Sequence, residues 1–143
     1  MSDTNPKYQD LSVLIVDDGE FQVDFVSDLL NDLGISQIMT ANGGKAGLRA
    51  FDLAKQKPDL LLCDIQMPDI DGFEFMKAMG ERKFFGGVIL MSGQGSRVLY
   101  SASLVAQLSR QNFLGNIEKP VNKQEIAEKI DQMLQNLSTQ PAA

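Results

Sequence analysis

The chain has 143 residues, 43% of them hydrophobic and 22% charged, with a formal net charge of −6 and a pI near 4.5. This is the profile of one globular domain with a substantial core, and it argues against direct nucleic-acid binding, which needs Lys and Arg clustered against phosphates. With no histidine and one cysteine, Cys63, neither an intramolecular disulfide nor a zinc or other soft-metal site is expected, so any metal must be held by oxygen.

A lone thiol suits a reducing compartment, so the cytoplasm is the expected location. Met1 to Gln9 is polar, and no run approaches the ~18–20 apolar residues of a membrane span. Neither a signal peptide nor membrane association is therefore expected. Leu11–Val16 is apolar, rich in β-branched residues and closes on Asp17-Asp18, which predicts a first strand ending in acid. Phe21, Phe25, Val26, Leu29, Leu30 and Leu33 then recur at helical spacing, with Gly34 as the stop. Ile35–Ala41 predicts a second strand. Gly47, Ala50, Phe51 and Ala54 mark a second helix that Pro58 closes.

Asp59–Asp64 contains the unbroken run Leu60-Leu61-Leu62-Cys63, the pattern of a strand buried on both faces. Pro68 and Asp71-Gly72 turn the chain after it, which leaves Asp64 at the strand's carboxyl end, where open α/β sheets place their chemistry. Phe73, Met76 and Met79 predict a third helix ending near Gly86-Gly87, and Val88–Met91 a fourth strand ending at Ser92. Val98, Ala102, Val105 and Leu108 predict a fourth helix over Ser96–Arg110. Phe113–Ile117 is the fifth strand, ending at Glu118-Lys119-Pro120. Ile126, Ile130, Met133, Leu134 and Leu137 line the last helix. Five strands alternating with five helices, joined by long crossovers, predict an open doubly wound parallel sheet with helices on both faces, in three layers.

In a parallel sheet, Asp17, Asp18, Asp64, Ser92 and Lys119 all face one rim. Carboxylates about 4 Å apart there repel by roughly 4 kcal/mol per pair at an effective dielectric of about 20, so the cluster calls for cations. Lys119 supplies one. An oxygen-seeking divalent ion such as Mg²⁺ supplies more.

With these residues in this order, the chain resembles the CheY-like receiver domains of two-component response regulators. The acidic pair Asp17-Asp18, Asp64 with Met67-Pro68 and Asp71-Gly72, Ser92-Gly93 and Lys119-Pro120 carry the resemblance, which runs from Leu11 to about Leu137. It implies a flavodoxin-like fold with strand order 2-1-3-4-5, a polar lead over 1–10, a receiver over 11–137 and a tail or linker start over 138–143. It further implies that Asp64 is the phosphoacceptor and that Mg²⁺ is bound by Asp18, Asp64 and the backbone carbonyl of Gln66, with Asp17 helping through water. Ser92 would bond the phosphoryl group, Lys119 would pair with its oxygen, and Lys119-Pro120 would be cis. The implied partner is a sensor histidine kinase or phosphotransfer protein, with room for an output domain, another protein or a homodimer. Catalysis would be confined to the domain's own phosphorylation and dephosphorylation.

Three departures stand out. Asn116 replaces the aromatic residue usual three positions before Lys119. The interval from Ser92 to Lys119 is long, implying an extended fourth helix or a longer loop after it. Gln66 and Gln94 occupy positions that tune phosphoryl hydrolysis in the family. The segments around Ser92 and Leu114–Pro120 also look like receivers that precede EAL-type cyclic-di-GMP phosphodiesterase domains. Cys63 and the methionines read as core packing, Tyr100 as packing, Asp69 and Asp71 as turn formers, and Glu125 with Lys129 as a solvated pair. Two other functions compete: a phosphorylation-independent pseudo-receiver that serves only as an interaction module, and a metal-dependent phosphohydrolase. The intact acidic pocket opposes the first, and the short loops offer the second neither a further acid nor a closing insertion.

Overall fold

A computed structural model describes residues 6–93 and 101–139, and it describes side chains only within 8–93 and 101–135. The described strands are β1 (Ser12–Val16), β2 (Gln37–Ala41), β3 (Leu60–Asp64), β4 (Gly87–Ser92) and β5 (Asn112–Glu118). Between and after them run α1 (Glu20–Asp32), α2 (Gly44–Leu53), α3 (Gly72–Glu81), α4 (Ala102–Ser109) and α5 (Lys123–Thr139). All strand pairs are parallel, as the alternation of elements predicts, and the order is β2-β1-β3-β4-β5, as the resemblance implies.

The unbroken apolar strands follow from double burial. Alternate residues of β1, β3 and β4 point to opposite faces. Val13, Ile15, Leu60, Leu62, Ile89 and Met91 pack under α1 and α5, against Val26, Leu30, Ile126 and Ile130. Leu14, Val16, Leu61, Cys63, Val88 and Leu90 pack under α2, α3 and α4, against Phe51, Phe75, Met79 and Leu108. Each such side chain contributes roughly 1.5–3 kcal/mol on burial. The edge strand β2 is only partly covered, which accounts for its polar Gln37 and Thr40.

Helix ends follow local chemistry. Gly34, with φ of +101°, takes the left-handed conformation that ends α1. Asn122 and Glu125 form a reciprocal cap at the start of α5: Glu125 N–H donates to Asn122 Oδ1 at 2.9 Å, and Asn122 Nδ2 donates to Glu125 Oε1 at 2.6 Å. Glu125 is therefore occupied by the cap, while Lys129 reaches the Leu114 carbonyl at 3.4 Å, so the expected pair between them is replaced by two other contacts.

Several expectations need correction. The lead over 1–10 is not wholly polar surface, because Pro6–Asp10 forms a 3-10 helix that buries Tyr8 in the core under α1 and α5. Its hydroxyl bonds Asp131 of α5, a contact that spacing along the chain does not reveal. In α3 the fully buried aromatic is Phe75, with Phe73 only partly covered. In α4 the buried face is Leu104, Gln107 and Leu108, while Val105 is 51% exposed. Ser101 caps that helix, accepting from the Leu104 N–H at 3.0 Å. The part of the predicted fourth helix over 96–100, including Val98 and Tyr100, lies outside the described residues. Only Arg110 and Gln111 separate α4 from β5, so the long Ser92–Lys119 interval is not a longer loop after the helix. α5 continues through Ser138 and Thr139, where a tail was expected, and the side chain of Leu137 lies outside the described set.

Candidate functional site

Strand register assembles the site. Val16 pairs with Cys63, so the residues that follow them, Asp17 and Asp64, emerge side by side, and Asp64 pairs with Met91 just before Ser92. Asp17 and Asp64 are buried, Asp18 is exposed, and one carboxylate oxygen from each lies within 4.8 Å of the others. Among the described residues no other cluster of potential metal ligands forms. The backbone fixes one oxygen of each buried acid: Gly19 N–H donates to Asp17 Oδ1 at 2.9 Å, and Gln66 N–H to Asp64 Oδ1 at 3.0 Å. The second oxygens face Lys119, whose Nζ lies 2.9 Å from Asp17 Oδ2 and 3.6 Å from Asp64 Oδ2. The Lys119-Pro120 bond is cis, as the resemblance implies.

Three clustered carboxylates against one ammonium, which two of them contact, leave the pocket anionic. Burial pushes the Asp64 carboxyl up to about 6; the Gln66 N–H opposes this, Asp17 adds to it, Lys119 opposes it and a hydrogen bond with Asp18 adds again. For Lys119, burial alone would lower the ammonium, but Asp17 and Asp64 outweigh it and hold the group above its ordinary range. Oxygen-only donors with unbalanced negative charge fit a hard divalent cation such as Mg²⁺. Cys63, next to Asp64, is buried and its thiol is pushed up by burial and then by Asp64 and Asp17, so it is held unreactive, in keeping with core packing.

Ser92 ends β4, fully buried, and its carbonyl accepts the Lys119 N–H at 2.7 Å, tying the two strand ends together. Its hydroxyl meets Asn116, whose Nδ2 lies 3.1 Å from Ser92 Oγ. The sequence marks Asn116 as a departure but does not reveal this bond. Gln94 lies outside the described residues.

The loop after β3 is held at two points. Asp71 caps its own helix, accepting from Phe73 N at 2.7 Å and Glu74 N at 3.3 Å, which bears out its reading as a local turn former. Asp69 does something else. It accepts from Gly44 N at 3.2 Å and Lys45 N at 3.0 Å, capping α2 from across the rim. Gly43 supplies no side chain for that end, and a Cβ on Gly44 would collide with Ile70 of the same loop. The loop bearing Gln66 and Met67 is thus seated on the start of α2.

The model of the response regulator receiver domain matches residues 13–131. The chain belongs to this family. The receiver is similar to the polar-differentiation response regulator DivK of Brucella anthropi, 43% identical over 67 residues, which cover 46% of this chain and 51% of DivK. It is also similar to the 3′,5′-cyclic-nucleotide phosphodiesterase regA of Dictyostelium discoideum, 28% identical over 141 residues, 96% of this chain but 17% of that protein. The matches thus span about half or less of these relatives' own length. Among solved structures, the chemotaxis response regulator CheY4 of Vibrio cholerae superposes with a TM-score of 0.65 at 25% identity, covering 86% of this chain and 98% of that one. The CheX–CheY–BeF₃–Mg complex of Borrelia burgdorferi gives a TM-score of 0.70 at 24% identity over 87% of this chain and 89% of that one. The receiver is a regulatory module of two-component signalling, and receivers bind Mg²⁺ at an acidic pocket where this chain carries its aspartate cluster.

Proposed function

We propose that Asp64 accepts a phosphoryl group from the phosphohistidine of a sensor histidine kinase or phosphotransfer protein, and that the phosphorylated receiver presents an altered surface to an output domain or partner. The observation that carries this reading is the placement of the Asp64 carboxylate at the end of a buried strand, 3.6 Å from Lys119 Nζ and within 4.8 Å of two further carboxylates. An Asp64 carboxylate oxygen forms the new bond to phosphorus as the donor's P–N bond breaks. The electron pair of that bond leaves with the imidazole nitrogen, which takes a proton from water.

Both reacting groups are anionic, so the residues serve mainly to position and to neutralise charge. Gln66 N–H orients the carboxylate, Lys119 pairs with a phosphoryl oxygen, and the Ser92 hydroxyl donates to another. Asp17, Asp18, Asp64 and the Gln66 carbonyl would hold Mg²⁺, which when bound offsets the charge gathered at the phosphoryl group. The receiver spans 11–137, with Tyr8 anchoring the segment before it, and acts on no substrate beyond its own phosphoryl group. No described helix is long and apolar enough to cross a membrane. The lone, buried thiol of Cys63 suits a reducing compartment, and on that ground we place the domain in the cytoplasm.

Intact-protein mass after incubation with acetyl phosphate and Mg²⁺ tests this. One phosphoryl group on the wild type and none on Asp64→Asn is the expected result. Equal labelling of both proteins removes Asp64 as the acceptor.

A further inference from the structure

β5 breaks strict alternation just before the site. Phe113 pairs with Val88 and Gly115 with Ile89, so Leu114 is an inserted residue and the strand bulges there. Gly115 has φ of +130°, in the region that favours glycine, which lets the backbone make the bulge. The insertion reverses which face each later residue meets. Leu114 and Ile117, three residues apart, both enter the core under α1 and α5. Asn116 instead pairs with Leu90, whose side chain lies under α2, α3 and α4. Ser92, two residues after Leu90, shares that face. Without the bulge Asn116 would oppose Met91 and turn away from Ser92.

The re-aimed amide meets the hydroxyl. Asn116 Nδ2 donates to Ser92 Oγ at 3.1 Å, while Asn116 Oδ1 is buried without a hydrogen-bond partner among the described residues. Burying an amide oxygen unpaired is costly, and a leucine of similar size would avoid that cost. The amide is therefore a poor choice for packing and a good one for the hydroxyl. A serine hydroxyl has one proton to donate and lone pairs to accept with. Once a lone pair is engaged by Asn116, the proton is left to donate elsewhere.

We infer that Asn116 is a positioning residue, aimed by the Leu114 bulge, that holds the Ser92 hydroxyl as a hydrogen-bond donor to the phosphoryl group on Asp64. This rests on the reading of Asp64 as phosphoacceptor. The test is a four-protein set: wild type, Asn116→Leu, Ser92→Ala and the double variant. The rate of phosphoryl gain from acetyl phosphate with Mg²⁺ is followed by intact mass, and the Asn116 side-chain amide by NMR. Loss of one hydrogen bond corresponds to about fivefold in rate, so Asn116→Leu is expected to slow phosphorylation by about that factor alone and by less than about twofold in the Ser92→Ala background. The Asn116 amide resonances should shift in Ser92→Ala, and Asn116→Leu should melt no lower than wild type.

Equal slowing in both backgrounds, no slowing in either, or amide resonances indifferent to Ser92→Ala overturns the inference while leaving the acceptor assignment intact. A wild type that gains no phosphoryl group from acetyl phosphate or from a phosphohistidine donor protein overturns the acceptor assignment and this inference with it.

Discussion

Lys119 is bound more closely to Asp17 than to the proposed acceptor, with Nζ at 2.9 Å from Asp17 Oδ2 and 3.6 Å from Asp64 Oδ2. Asp17 therefore holds the ammonium at the pocket while leaving it within reach of a group attached to Asp64. Lys119→Met removes the positive charge from between two buried acids. Unfolding free energy without Mg²⁺ should fall by about 2–4 kcal/mol, near what breaking a buried pair costs, and phosphorylation should slow by about 100-fold or more. Lys119→Arg should not restore the rate, since a planar guanidinium does not replace a compact ammonium. Urea unfolding and the mass assay read the two effects separately. Full activity in Lys119→Met would remove this lysine from phosphoryl transfer.

The acid at the centre of the pocket gives the metal-free protein a pH signature. Asp64 in the folded state titrates near 6, above the roughly 3.9 of an unfolded aspartate, so between these values the folded state holds more protons. Stability without Mg²⁺ should then decline as pH rises from about 4 to about 6 and stay reduced above that. Asp64→Asn should abolish the decline and be more stable at neutral pH by about 1–2 kcal/mol, less than the full electrostatic value because solvent screens the open rim. Thermal melts in a chelator across this range check it. Parallel curves for the two proteins would place the charge strain elsewhere.

Mg²⁺ should reverse part of that strain. Binding to the folded state alone at ten times the dissociation constant adds about 1.4 kcal/mol, and the melting temperature should rise accordingly. Asp18 is the exposed member of the cluster and so can be altered with little effect on packing. In Asp18→Ala the Mg²⁺-dependent rise should be largely lost. An equal rise in both proteins would take Asp18 out of the metal site.

Sequence pattern shows best what depends on neighbours along the chain. The apolar runs ending at Asp17, Asp64 and Ser92 mark strands, and the parallel order then brings their ends together. What the pattern conceals arises from contacts between distant segments. Tyr8 sits in a polar stretch, and its burial is explained by distant segments: the ring packs under α1 and α5, and the hydroxyl meets Asp131 and the Ala127 carbonyl on the last helix. The bulge at Leu114 shifts register by one residue, and its only trace in the sequence is local: Gly115 inside the strand, with Leu114 and Ile117 three residues apart where strict alternation would put them two or four apart. Val105 and Leu104 are adjacent and both apolar, so the face of α4 is settled by packing of Leu104 and Leu108 against the core, which spacing along the chain does not reveal. Asp69 and Asp71 look alike in sequence, yet one caps its own helix and the other a helix that precedes it by 25 residues.

Asp69 supplies the last prediction. Its exposed carboxylate is held below the usual range, first by the Lys45 N–H and also by the Gly44 N–H. Asp69→Ala should cost about 1 kcal/mol, the usual loss for a helix cap, because Gly43 offers no substitute. Asp69→Asn retains an acceptor and should lose less. Because the folded-state carboxyl titrates below the unfolded one, the advantage of wild type over Asp69→Ala should be complete above about pH 4 and shrink as pH falls through the folded value. Urea midpoints at pH 7 and pH 3 measure this. A difference that persists unchanged at low pH would mean that Asp69 acts through packing against α2, not through its charge on the helix N-terminus.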